Sequence, residues 1–287
     1  MTMQTSPSTG IDIGNFRPPS PLWTGLAIAG ALTAGVGSLV GLARIDRIYG
    51  GETESFIAQA IAQDLVNLVV VAPLLLITSL LARRGSPRAY LVWLGALAFT
   101  IYNYVIYTVS ISFGPLFLVW VAALGFALFA LIGGLIDIDA DDVASHFTRR
   151  RQRFAAIYLI VAAVLFGFLW LSDIVPSLLD GTTPQGAAEL NLPTNPVHVL
   201  DLAFFLPAVL IVGIQLLRKR PLGYLAGPGL LVFLILTGLP ILVTPFISDA
   251  RGEEPAWGVM GPIGVITVIA LAALARMLTA VARQPTR

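Results

Sequence analysis

QDLVNLVVVAPLLLITSLLARRGSPRAYL, residues 63–91, returns at residues 197–225 as VHVLDLAFFLPAVLIVGIQLLRKRPLGYL. At that one offset and without a gap, Asn67 falls on Asp201, Pro73 on Pro207, Arg84 on Arg218, Pro87 on Pro221 and Tyr90 on Tyr224. Five matches of distinctive residues point to a duplicated chain. Each stretch is an apolar run closed by arginines, long enough to cross a hydrocarbon core of about 30 Å as a helix.

The rest of the chain has the same character. A soluble domain carries about 25% charged residues, whereas this chain of 287 has 11%, with 57% hydrophobic and a mean hydropathy of +0.87. Working outward from the two stretches, apolar runs predict spans at 22–42, 56–82, 90–111, 116–136, 154–174, 197–217, 222–247 and 258–281. The expected fold is an all-α polytopic membrane protein, eight transmembrane helices as two parallel four-helix repeats. The boundaries expected are a disordered cytoplasmic tail at 1–20, a first repeat at 21–137, a cytoplasmic linker at 138–153, a second repeat at 154–283 and a tail at 284–287. An even number of spans per repeat relates the copies by an axis along the membrane normal.

Orientation follows from the basic residues, because Lys and Arg in short loops stay in the cytoplasm. One side holds Arg17, Arg83, Arg84, Arg88, Arg149, Arg150, Arg151, Arg153, Arg218, Lys219, Arg220, Arg276, Arg283 and Arg287, and the other only Arg44, Arg47 and Arg251, a ratio of 14 to 3. Both termini are therefore expected in the cytoplasm, with the chain in a bacterial cytoplasmic membrane and the lipid bilayer as its partner. The net charge of +1 offers no reason to invoke nucleic acid.

Within the spans, polar side chains are few, and each charged one costs at least about 2.5–3.5 kcal/mol on insertion scales. Gln59, Gln63 and Asn67 fall at steps of four with Asp64 at their flank; at about 100° per residue the four cover roughly 140° of helix surface. In the other copy His198 and Asp201 share a face, His198 in the place of Asp64 and Asp201 in the place of Asn67. Asn103, among Tyr102, Tyr104 and Tyr107, reaches a similar depth. The candidate polar site is Gln63, Asp64, Asn67, Asn103, His198 and Asp201. Pro73 and Pro207, mid-span, each remove a backbone hydrogen bond and predict a bend. Tyr90 and Tyr224 read as interfacial anchors. In the first span Gly25, Ala29, Thr33 and Gly37, at steps of four, predict close helix packing.

Catalytic and cofactor motifs are missing. No cysteine is present, so thiolate metal sites, disulfides and cysteine catalysis are out. The single lysine, Lys219, lies between spans, which removes a retinal Schiff base. With His146 in a loop and His198 in a span, one chain cannot ligate a haem through two histidines. There is no HExxH, GxSxG or P-loop. No metal and no cofactor are expected; Asp137, Asp139, Asp141 and Asp142 lack the Gly and terminal Glu of a calcium loop.

The segments QDLVNLVVVAP, YNYVIY and HVLDLAFFLP, with the runs around them over residues 55–245, resemble a group of uncharacterised bacterial multi-pass membrane proteins. The resemblance implies the polytopic topology and imports no catalytic residue. Three readings stay open: a carrier or channel-like protein for a small solute or ion, with its site between the repeats; a membrane-embedded enzyme acting on a lipid or isoprenoid; and a non-catalytic assembly or sensor subunit.

Overall fold

The computed structural model describes residues 16–148 and 152–282. The expected tails at 1–15 and 284–287, and the arginines at 149–151 and 283, lie outside the described residues. Eight helices among the described residues are long and apolar enough to cross a membrane: Pro21–Ala43, Glu54–Arg83, Pro87–Ser110, Phe117–Asp137, Arg153–Asp180, Pro196–Leu217, Pro221–Ala250 and Trp257–Ala280. The chain is a multi-pass, all-helical membrane protein, as its hydropathy predicts.

Local chemistry sets several ends. The third span begins at Pro87 rather than Tyr90, because Ser86 accepts a hydrogen bond from the Ala89 N–H and proline suits the first helical position. Thr53 caps the second span in the same way, through the Phe56 N–H. Asn195 caps the sixth through the Val197 N–H. The fifth span runs past its expected end at Ile174, through Pro176, to Asp180. Gly181, at φ +66°, then stops it, since a left-handed residue ends a helix at no steric cost only when it is glycine. The seventh span likewise continues through Pro228, Pro240 and Pro245. Proline is tolerated in spans because neighbouring helices and side chains can take up the freed backbone groups.

The third span is the centre of the bundle, 72% buried against 17% for the eighth. It packs on the second, fourth and seventh spans. The first span lies against the second and fourth, the fifth against the sixth and eighth, and the seventh against the second, third, sixth and eighth. The third and seventh approach closely at Gly95 and Gly229, where backbones touch: a Cβ on Gly95 would reach the Gly229 Cα at 2.7 Å. One turn further, Phe99 meets Phe233 with ring centroids 6.3 Å apart. Small residues permit such approach in lipid, where packing replaces the hydrophobic effect as the driving force. In the first span the buried face is Ala27, Gly30, Ala31, Ala34, Gly37, Ser38 and Gly41. Of the expected contact stripe, Gly37 is buried, Ala29 and Thr33 are partly exposed and Gly25 is exposed.

Links at the two ends of the bundle bind one another. At the acidic end Arg251 pairs with Glu54 at 2.6 Å, the Thr53 hydroxyl donates to Glu189 O, and the Ser112 N–H donates to Glu52. At the arginine-rich end the expected linker is partly folded: Ala140–Ser145 is a helix capped by Asp139 and packed on the seventh span. Phe147 bridges to Val281, whose carbonyl also accepts from Arg88. Tyr90 and Tyr224 are fully buried rather than placed at the lipid interface. The Tyr90 hydroxyl donates to Gly134 O at 2.8 Å and its ring meets Phe16, while Tyr224 packs on Phe147. The docked links cover them.

The second and sixth spans break in one way. Asn67–Val71 and Asp201–Phe205 are π-helical turns at positions that the sequence offset aligns, each ending shortly before its proline, Pro73 or Pro207. The Ala72 N–H bonds to Asn67 O and the Leu206 N–H to Asp201 O, spacings of five. A proline lacks the N–H that would continue the ordinary ladder and crowds the preceding turn, and the wider π turn makes room for it.

Candidate functional site

The six candidate residues resolve into three groups rather than one. Asp64 is 1% exposed and enclosed by tyrosines. The Tyr49 hydroxyl donates to its Oδ2 at 2.5 Å and the Tyr107 hydroxyl to its Oδ1 at 3.1 Å, with Tyr107 also 3.3 Å from Ala60 O. Tyr107 packs at 5.6 Å on Tyr104 and at 5.4 Å on Trp120. The buried hydroxyl of Ser38 lies beside Asp64 and Tyr104. Gly41 leaves the space for this cluster, since a Cβ there would fall on Asp64 Oδ2 and within 2.6 Å of the Tyr49 hydroxyl. Tyr49 comes from the short helix Ile45–Tyr49 in the first acidic-end link. Burial first, and then the Asp64 carboxylate, hold its phenol well above the ordinary value. A buried carboxylate is tolerable when its oxygens are hydrogen-bonded, and here donors from a link and from the third span supply that.

The second group is Gln63, Asn67 and Asn103. Asn67 Oδ1 accepts from Gln63 Nε2 at 2.9 Å and from Asn103 Nδ2 at 3.5 Å. Asn67 is 1% exposed, and its own Nδ2 is buried with no hydrogen-bond partner.

The third group is built on the second half of the chain. Asp201 is half-buried, and its Oδ2 accepts from the Trp170 Nε1–H at 2.7 Å. Tyr102, from the third span, brings its hydroxyl beside the same carboxylate. Its ring packs on Phe205 at 4.9 Å, and Phe205 stacks on Phe233 at 4.1 Å, so an aromatic stack joins the third, sixth and seventh spans next to Asp201. His198 packs its ring 4.9 Å from Trp170 and points Nε2 toward Asp173 Oδ2 at 3.7 Å. That gap exceeds a hydrogen bond, and Nε2 is buried without a partner. Asp173 is held by backbone: the Gln185 and Gly186 N–H groups donate to its two oxygens at 3.1 and 3.2 Å. Asn195 ties the same link down through Gly186 O at 2.9 Å. Gly186 lies close against this group: a Cβ there would meet Asn195, Asp173 and His198 side-chain atoms at 3.1–3.5 Å.

His198 therefore does not join Asp64, although the two occupy equivalent places in the sequence. Tyr49, Ser38, Trp170 and Asp173, which help complete the groups, are outside the candidate set. For Trp170 a signal exists: an indole mid-span needs an acceptor for its N–H, and Asp173 and Asp201 are the acids at that level. Tyr49 lies in a link and carries no such signal. Two cavities, of about 290 and 410 Å³, lie at the arginine-rich end and are lined by none of the candidate residues.

Chemically, the third group offers a half-buried carboxylate, a histidine with a vacant nitrogen and a second carboxylate within reach of it. A proton on Nε2 would turn the contact with Asp173 into an ion pair. No family model, curated protein or solved structure matches this chain, so the reading of these groups stands on their geometry.

Proposed function

We propose that this protein is a carrier or channel-like protein for a small solute or ion, built from two parallel four-helix repeats and working through Asp201, His198 and Asp173. One observation carries the reading: both π turns open at a candidate polar residue, Asn67 in one span and Asp201 in the other. π turns inside helices gather at functional sites, and carriers place their binding sites where spans are broken near the meeting of two repeats.

Three features support the repeats. Neighbours of the first to fourth spans recur for the fifth to eighth: first with fourth as fifth with eighth, first with second as fifth with sixth, third with fourth as seventh with eighth. Gly95 and Gly229, and again Phe99 and Phe233, are equivalent positions at the offset that relates the two copies, and each pair is in contact. Equivalent residues that meet one another lie on a two-fold axis, and both spans leave the arginine-rich end, so the axis runs along the membrane normal. With the arginine-rich end in the cytoplasm, Asp201, His198 and Asn67 lie in the outer half of a bacterial cytoplasmic membrane.

Asp64 has an architectural role in this reading, locking the first link to the second and third spans. A closed lipid-facing cavity around both Asp64 and Asp201 would favour the lipid-enzyme reading, and the two belong to separate clusters. The test is proton movement in liposomes holding the purified protein and a trapped pH-sensitive dye. After a pH step the wild type should equilibrate faster than empty vesicles, and Asp201→Asn should slow this at least about tenfold, as loss of a proton-handling group does. Equal rates for wild type, Asp201→Asn and His198→Ala would end the proposal and leave an assembly or sensor role.

A further inference from the structure

We infer that the arginine-rich end carries a binding site for an anionic phospholipid, between the start of the fifth span and the end of the eighth. A cavity of about 290 Å³ opens there, lined by Gln152, Arg153, Phe154, Ala155, Ala273 and Arg276. Two arginines and no acidic residue line it. Among the described residues neither arginine takes part in an ion pair. Guanidinium groups prefer the planar, bidentate geometry that a phosphate offers.

Two further features favour an anion in that position. The Arg276 guanidinium stands 5.3 Å above the Phe154 ring, a cation-π contact between two residues that line the cavity. Arg153, Phe154 and Ala155 open a 28-residue helix that has no side-chain cap, so the free N–H groups of its first turn and the positive end of its dipole add to the two charges.

The surface next to the cavity distinguishes a lipid from a free anion. Ile157, Val161 and Val164 form one exposed strip along the fifth span, 54, 56 and 44% accessible. Val268 and Leu271 expose 64 and 48% on the eighth, which packs beside it. A headgroup seated on the arginines would have acyl chains lying along these strips. Basic pockets between spans at the headgroup level are the known chemistry of anionic lipid sites. The second cavity at this end is a poorer host: Asp137 lines it beside Arg17 and Arg83 and would repel the phosphate.

The site is tested on the whole protein, delipidated in mild detergent and titrated with phosphatidylglycerol or phosphatidylcholine, with bound lipid counted by native mass spectrometry. The wild type should retain one phosphatidylglycerol in preference to phosphatidylcholine. The pair Arg153→Gln and Arg276→Gln should bind it roughly tenfold to thirtyfold more weakly, as expected for two lost cationic contacts. Arg153→Lys with Arg276→Lys keeps the charge but loses the bidentate geometry and should bind between the wild type and the Gln pair, which separates loss of the site from loss of the fold. Arg84→Gln, at an exposed arginine elsewhere on the same end, should change nothing. The inference is overturned if phosphatidylcholine binds equally, if the Gln pair binds like wild type, if the Lys pair falls to the level of the Gln pair, or if Arg84→Gln weakens binding as much. Displacement of the lipid by millimolar inorganic phosphate would also overturn it, by marking a site for the free anion.

Discussion

The contact between the third and seventh spans makes a prediction with its own control. Gly95 and Gly229 touch each other, yet they do not have equal room. A methyl on Gly95 would overlap the carbonyl oxygen of Gly229, lie 2.7 Å from its Cα and 2.8 Å from Val232 Cβ. Two of those three atoms are backbone, so no rotamer change relieves the clash and the spans must separate. A methyl on Gly229 would meet Gly95 N at 3.4 Å, its Cα at 3.5 Å and Leu91 O at 3.6 Å, all ordinary van der Waals contacts. Alanine is favoured over glycine in a helix by about 0.8–1 kcal/mol, and overpacking a tight contact costs about 1–3 kcal/mol. Gly229→Ala should therefore be neutral or stabilising by up to about 1 kcal/mol. Gly95→Ala should be destabilising, leaving the two variants about 1–3 kcal/mol apart. Reversible unfolding in mixed micelles, followed by far-ultraviolet circular dichroism, measures both. Equal stabilities, or a greater loss at Gly229, would refute the packing argument.

Two more predictions concern the Asp64 cluster. Gly41→Ala places a methyl on the carboxylate and the Tyr49 hydroxyl and should cost about 1–3 kcal/mol in the same assay. Gly25→Ala, in the same span with open space around it, should be neutral or better, and a similar loss at both positions would remove Asp64 as the cause. The Tyr49 phenol is raised by burial and by Asp64. A group whose folded value lies above its unfolded one stabilises fully below the unfolded value, about 10 for tyrosine, and loses that contribution as pH rises beyond it. Stability should therefore be insensitive to this group up to about pH 10 and fall above it, and Tyr49→Phe should make the alkaline decline shallower. Parallel declines in wild type and Tyr49→Phe would show that the phenol is not the group responsible.

Much of the architecture was legible because hydropathy is a local property. A span is an apolar run of sufficient length, and eight such runs can be read one at a time. The prolines were legible too, although their effect was not: a bend was expected at Pro73 and Pro207, and a π turn stands before each. The caps at Thr53, Ser86 and Asn195, and the stop at Gly181, follow ordinary rules that would have corrected four of the span ends. The burial of Tyr90 and Tyr224 was not legible, because it depends on links from elsewhere in the chain folding over them.

The same division holds for the polar groups. By itself the sequence determined that Asp64, Asn67, His198 and Asp201 lie in spans, at depths that a constant offset relates. Only the tertiary structure decided that Asp64 meets Tyr49 and Tyr107 while Asp201 meets Trp170, and that His198 turns to Asp173. In a soluble helix the polar face marks the outside and the apolar face the core, so periodicity reveals rotation. In a bilayer both the lipid and the neighbouring helices are apolar. The rotation of each span, and with it the choice of partner for every buried polar group, is settled by packing between distant segments.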